Sequence, residues 1–206
     1  MYVRIAGESI GGGFRYSLRC PNCGHIGTFE PIQNHTDLHV SGHWLSLRRC
    51  PNPPCHAGVF VVANDQQQIL RSYPALRIDF DPKNVPQRVL ATMSEAVTCH
   101  AEKCYVAAGM MIRRCLEEVC EDRGATGPDL KARIQGLRAK VVLPDELFQA
   151  MDDLRLLGND AAHVEAKTYD FIGQEEVELG ITLTKEILKA LYQLDDLVSR
   201  LRALKK

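Results

Sequence analysis

Two short stretches, CPNCG at Cys20–Gly24 and CPNPPC at Cys50–Cys55, constrain this chain more than anything else in it. Each puts two cysteines on a turn tight enough for both sulfurs to point at one place. Two such turns brought together supply four thiolates in a closed tetrahedral shell, the arrangement that holds structural Zn²⁺. A Pro follows the first cysteine of each pair and Gly24 follows Cys23, which fits a narrow knuckle whose backbone amides face the sulfurs. The expectation is a structural zinc ion on Cys20, Cys23, Cys50 and Cys55. His25 and His56 follow the knuckles closely and are the alternative ligands. Four thiolates leave no open coordination position, so this metal is not read as catalytic. A unit organised this way has little core and is expected to unfold without its metal.

Around the cysteines the chain reads as short strands: FRYSLRC, HWLSLRRC and GVFVVA are rich in aromatic and β-branched residues and are separated by Gly, Pro and Asn. Gly11–Gly13 reads as a hairpin turn between MYVRIAG and FRYSLR, because no helix follows to make a phosphate cradle. Phe14 and Trp44 are expected in the core, not as base-stacking platforms. Arg19, Arg48 and Arg49 flank the ligands and either meet phosphate or are solvated strand residues. The segment SYPALRIDFDPKNVP, with its three prolines, reads as an extended linker.

From Pro86 the period changes to that of helices. Helices are expected over 86–97, 101–122, 128–140, from about Pro144 onward, and over 174–204. In the second, Cys104, Ala108, Met111, Cys115 and Val119 make one stripe, and Gly124 ends it. In the last, Leu179, Ile181, Leu183, Ile187, Leu188, Leu191, Leu194 and Leu197 supply a broad apolar face. The organisation is therefore α+β: a β-rich zinc ribbon over 1–70, a linker over 71–85 and an all-α bundle over 86–206. Cys99, Cys104, Cys115 and Cys120 lie on or beside the helices and read as buried, inert thiols.

The chain has 206 residues and a formal net charge of -1, so no global basic field draws in nucleic acid. Its start lacks the apolar run of a signal peptide, and no apolar segment approaches membrane-spanning length. A cytoplasmic setting without membrane attachment is expected. There, eight cysteines point to metal binding more than to disulfides.

The stretch RLLGNDAAH, Arg155–His163, is unusual in the fourth helix because Gly, Asn and Asp are poor helix formers. If the helix continues through it, with Arg155 at zero, Asn159 falls at about 40°, Asp152 at about 60° and His163 at about 80°. One polar sector then holds an acid, a guanidinium, an amide and an imidazole. An imidazole moves a proton near neutral pH, and a guanidinium clamps a phosphate. That pairing suits metal-independent cleavage of RNA by its own 2′-hydroxyl. The alternative is that Gly158 and Asn159 close the helix, His163 caps a carbonyl, and Asp152–Arg155 is a plain surface ion pair. Arg113, Arg114, Lys131, Arg133, Arg138 and Lys140 are either a solvated face, with Arg113–Glu117 and Arg114–Glu118 paired along the helix, or a phosphate track beside that sector.

YP in the linker, SEAVTCHAEKCYVAAGMMIRRCLEEVC and above all LRLLGNDAAH resemble the domain-of-unknown-function family 4145, a member of the HEPN superfamily, over about Tyr73 to Leu201. The resemblance implies an all-α bundle, often preceded by a cysteine-rich ribbon, in bacterial restriction and phage-defence settings. It also implies a homodimer in which two motifs of Arg, a polar residue often Asn, and His meet as an endoribonuclease site. Here Asn159 and His163 match, the Arg position falls on Gly158, and Arg155 lies a turn earlier. The expected roles are His163 as general acid/base, Arg155 as phosphate clamp and Asn159 as orienting residue. The other readings are a non-catalytic module that binds nucleic acid or protein, and a zinc-dependent regulator recruited by larger defence machinery.

Overall fold

The computed structural model describes residues 8–32, 37–76, 78–165 and 168–205. The chain divides into two compact units, Met1–Asp79 and Phe80–Lys206. The first is β-rich and the second all-α, so the α+β class is observed. Among the described residues no helix is long and apolar enough to cross a membrane.

The first unit is built from seven described strands: β1 (Glu8–Gly11), β2 (Tyr16–Arg19), β3 (Ile26–Pro31), β4 (Asp37–Val40), β5 (His43–Arg49), β6 (Gly58–Asn64) and β7 (Ile69–Tyr73). All pairings are antiparallel, in the order β1-β4-β5-β3-β2, with β6 joining β5 to β7. The three expected strands are β2, β5 and β6. The stretch Met1–Gly7, expected as part of a strand, lies outside the described residues. β7 continues to Tyr73, past the expected ribbon boundary. Tyr16, Leu18, Phe29, Val59, Val61 and Ala63 form the core together with Cys20 and Cys50, and Phe14 and Trp44 pack against its margin.

The glycine triplet is not a hairpin turn, because β1 pairs with β4 and β2 with β3. It is a crossover held by Asp37, whose carboxylate accepts the Gly13 and Phe14 amides at 2.9 and 3.2 Å. Gly12 has φ +93°, and a Cβ there would lie 2.6 Å from Asp37 Oδ2. The same carboxylate takes two parallel bonds from Arg48, at 2.7 and 2.5 Å. Arg48 also donates to the carbonyls of Phe14 and Leu47. Both side chains of this pair are 1% exposed. Arg48 therefore serves neither of its expected roles: buried against Asp37, it is open neither to a phosphate nor to solvent, and is a bidentate brace inside the sheet.

The second unit contains α1 (Gln87–Ala101), α2 (Tyr105–Asp122), α3 (Leu130–Leu137), α4 (Asp145–Ala162), α5 (Gln174–Tyr192) and α6 (Leu194–Ala203). α2 is central and packs on α1, α3, α4 and α5. It ends as its glycine anticipates, with Gly124 at φ +67°. Asp129 caps α3 by accepting the Ala132 amide at 2.8 Å. Cys115 and Cys120 are buried, and burial pushes their thiols up to about 12 and about 11, which keeps them inert. Cys104 departs from the expected stripe: it precedes α2 and is exposed. Cys99 is half-buried.

The expected final helix is two helices. Gln193 breaks it by turning its amide onto the Asp81 and Lys83 carbonyls, both at 3.0 Å. The buried side of α5 is Val177, Gly180, Ile181, Thr184, Ile187 and Leu188, whereas Leu179, Leu183, Leu194 and Leu197 are exposed. The broad apolar face thus splits into a core stripe and an outward one.

Candidate functional site

Strand ends deliver the four ligand-type cysteines. Cys20 follows β2 and Cys50 follows β5, and each chain then doubles back: the Cys20 amide donates to His25 O and the Cys50 amide to Ala57 O. The residue after the second cysteine of each pair is left-handed, Gly24 at φ +74° and His56 at φ +46°. His56 thus serves the turn through its backbone, where the first knuckle uses glycine. The four sulfurs lie within 4.8 Å of one another, and the group includes no histidine. Cys20–Cys55 and Cys23–Cys50 are each 3.8 Å apart. That is too long for a disulfide, and all four are free. It equals the edge of a tetrahedron with metal–sulfur bonds of about 2.3 Å, so the donor set fits one tetrahedral ion.

Cys20 and Cys50 are buried, Cys55 is half-buried and Cys23 is exposed. The two outer sulfurs each accept a side-chain amide from the opposite knuckle. Asn22 Nδ2 reaches Cys55 Sγ at 3.3 Å and Asn52 Nδ2 reaches Cys23 Sγ at 3.5 Å. The Asn52 amide first, and then the backbone at His25, bring the Cys23 thiol down to about 6. Burial instead pushes Cys50 up to about 12, a penalty that a cation among the sulfurs would reverse. Sequence reasoning did not single out the asparagines. Their signal was the repeat of CPN in both knuckles.

In RLLGNDAAH the helix does not close at Gly158 or Asn159; α4 runs through both to Ala162. Gly158 is there because α2 crosses at backbone distance: a Cβ would overlap the Arg113 Cβ and lie 3.1 Å from Gly109 O. Gly109 answers it, since a Cβ there would sit 3.1 Å from the Ala161 methyl. Asp160 accepts the Thr168 and Tyr169 amides at 2.5 and 2.7 Å, latching the following loop to the helix. Three residues of the stretch are therefore spent on packing and loop closure.

Arg155 is engaged within α4, and His163 stands just past the helix's last residue. Arg155 Nε donates to Asp152 Oδ1 at 2.7 Å, so its side chain leans one turn toward the helix start. His163 lies about 12 Å further along the axis in the opposite direction. His163 has left the helix, at φ -130° and ψ 118°, so the angular count that placed it in the polar sector does not apply. Its imidazole is exposed, and its amide donates to Asn159 O at 3.0 Å; the Asn159 side chain is half-exposed and makes no hydrogen bond among the described residues.

Most of the expected basic track is engaged. Arg113 meets Glu117 at 3.4 Å and the Arg155 carbonyl at 3.3 Å, and Arg114 meets Glu118 at 3.2 Å. Arg138 meets Asp145 at 2.6 Å, and Arg133 donates to Gly127 O. A cavity of about 280 Å³ among these side chains is lined by Arg88, Arg113, Arg114 and Arg133 against Glu117, Glu118 and Glu121. Its charges alternate and present no single-sign field. In the first unit Arg19 pairs with Asp79 at 2.6 Å.

The family described as Domain of unknown function (DUF4145) matches residues 94–204, the span from within α1 to the end of α6. No curated protein and no solved structure matches the chain.

Proposed function

We propose, on the premise that the chain belongs to the DUF4145 family, that it is a homodimeric, non-catalytic binding module with a HEPN-like helical unit and a zinc ribbon as its second part. The observation carrying this reading is that Arg155 is bound to Asp152, one turn toward the start of α4, while His163 stands at the other end of the helix. Cys20, Cys23, Cys50 and Cys55 hold one structural Zn²⁺, supported by the 3.8 Å sulfur edges. A cytoplasmic setting is supported by Cys99, Cys104, Cys115 and Cys120, free thiols outside the metal centre, a state suited to a reducing compartment. The partner bound is protein in preference to nucleic acid, because net charge is -1 and most arginines of the expected phosphate track are already engaged.

A second copy is the occupant of the α6 face. Leu194, Leu197, Val198, Leu201 and Leu204 are all exposed, and they recur at three and four residues. Charge is polarised along the helix, with Asp196, which also meets Lys83 at 2.8 Å, in its first turn and Arg200 and Arg202 in its last. Two copies laid antiparallel match acid to base at both ends, and a parallel pair opposes like charges. Sedimentation of the zinc-loaded protein is expected to give a dimer, and Leu197→Glu with Leu201→Glu a folded monomer. A monomeric parent, or a dimer that survives both substitutions, overturns this interface.

One observation favours a second reading, an endoribonuclease of a restriction or phage-defence setting. The side chains of Asn159 and His163 make no hydrogen bond among the described residues and are open to solvent, so another copy's guanidinium has access to them. Here His163 would be general acid/base, Asn159 the orienting residue and Arg155 the clamp. Incubation of zinc-loaded protein with RNA decides between the two. The module reading expects intact RNA. Cleavage that disappears in both His163→Ala and Arg155→Ala establishes the nuclease instead.

A further inference from the structure

We propose that Asn22 and Asn52 are the guards of the metal centre, each shielding the solvent-facing thiolate of the opposite knuckle. The inference rests on the zinc assignment and not on what the helical unit binds. A divalent ion on four thiolates leaves two negative charges in excess, held as electron density on sulfur. Where a sulfur is buried, protein keeps electrophiles and water away. Cys20 and Cys50 are in that position. Cys23 and Cys55 are not, and they are the two that accept side-chain amides, at 3.5 and 3.3 Å. An N–H donor on a thiolate withdraws density from it and lowers its nucleophilicity, and bonds to charged acceptors are among the stronger ones.

The arrangement is reciprocal. Asn22 belongs to the first knuckle and donates to the last cysteine of the second, while Asn52 belongs to the second and donates to the last cysteine of the first. Each knuckle thus carries the shield of the other, and the two loops are tied by two hydrogen bonds that do not pass through a metal. The backbone carbonyl of Asn52 is separately occupied by the Cys55 and His56 amides, so its side chain is free for this role. Outer partners of this kind orient and tune metal ligands elsewhere.

The test is alkylation of the zinc-loaded full chain with N-ethylmaleimide. A thiolate sulfur adds to one alkene carbon, the other carbon takes a proton from water, and the zinc loses that ligand. Zinc release is followed with a chromogenic chelator, and the first cysteine modified is identified by mass spectrometry. Asn22→Ala is expected to speed release about three- to tenfold with Cys55 modified first, and Asn52→Ala by a similar factor with Cys23 first, each having lost one bond to a charged acceptor. The double variant multiplies the two factors. Asn22→Asp and Asn52→Asp keep the shape but cannot donate when ionised, so they serve if an Ala variant fails to load zinc, with the same order of modification. Release at the parent rate in loaded variants overturns the proposal. So does acceleration in which Cys20 or Cys50 is modified first, since that marks general loosening of the loops.

Discussion

The β unit and the helical unit solve the problem of order in different ways. The helical unit closes on aliphatic side chains: Ile112, Leu116, Leu137, Met151, Ile181, Ile187 and Leu188 are fully buried, and α2 and α4 approach until only glycine fits between them. The β unit has few such groups. Arg48 is its largest fully buried side chain, and two of its core members are cysteines. Packing density sustains the first, whereas directional bonds sustain the second: a bidentate ion pair from Arg48 near the end of β5, and the sulfur cluster that the chain enters two residues later at Cys50. Damage to the first should scale with volume, and damage to the second with loss of a single partner.

The largest effect expected from one substitution follows from Arg48. Arg48→Met leaves Asp37 buried without its counter-charge and should destabilise the β unit by about 3–5 kcal/mol, read by denaturant unfolding of the zinc-loaded protein. A cost below about 1 kcal/mol would make the β unit as tolerant as an ordinary core. Acid sharpens the point. Burial pushes the Asp37 carboxyl up, but the Arg48 bonds and charge and the Gly13 and Phe14 amides outweigh it and hold the group below the usual range. Its contribution is therefore complete above the ordinary carboxylate range and is lost as pH falls through the lowered value. The stability gap between the parent and Asp37→Asn should narrow on acidification below about pH 4.

In the helical unit the corresponding change is Gly158→Ala. The new methyl overlaps Arg113 and must push α2 from α4, costing about 1–3 kcal/mol in thermal unfolding. An unchanged or raised Tm would mean the crossing is looser than described. The smallest effect belongs to His56→Gly. This relieves a left-handed residue at the second knuckle and should stabilise the β unit by about 0.5–1 kcal/mol with zinc retained. Loss of zinc affinity would assign the imidazole a part in the centre.

What was legible in the sequence was what is local. Cysteine spacing within each knuckle and helical period need only a few neighbouring residues, and both led to the observed elements. The pairing of Asp37 with Arg48 joins β4 to β5 and has no signature in either strand, so Arg48 read as a surface charge. Leu183, Ile187, Ala190, Leu194, Leu197, Leu201 and Leu204 keep one spacing straight through Gln193, and nothing in it betrays the break that Gln193 makes by turning to Asp81 and Lys83. Gly158, Asn159 and Asp160 were visible as anomalies in a helix. The reason for Gly158 is a second helix and that for Asp160 a returning loop, both beyond the stretch itself. The end of α4 at Ala162 decided the placement of His163, and a single residue of helix moves a side chain by about 100°.

Hydrogen exchange measured along the whole chain, before and after zinc is removed with a strong chelator, tests the contrast between the two units most directly. Protection within 16–73 is expected to collapse on removal, while protection within 87–192 persists. Equal protection of the β strands with and without zinc would contradict a β unit that depends on its metal.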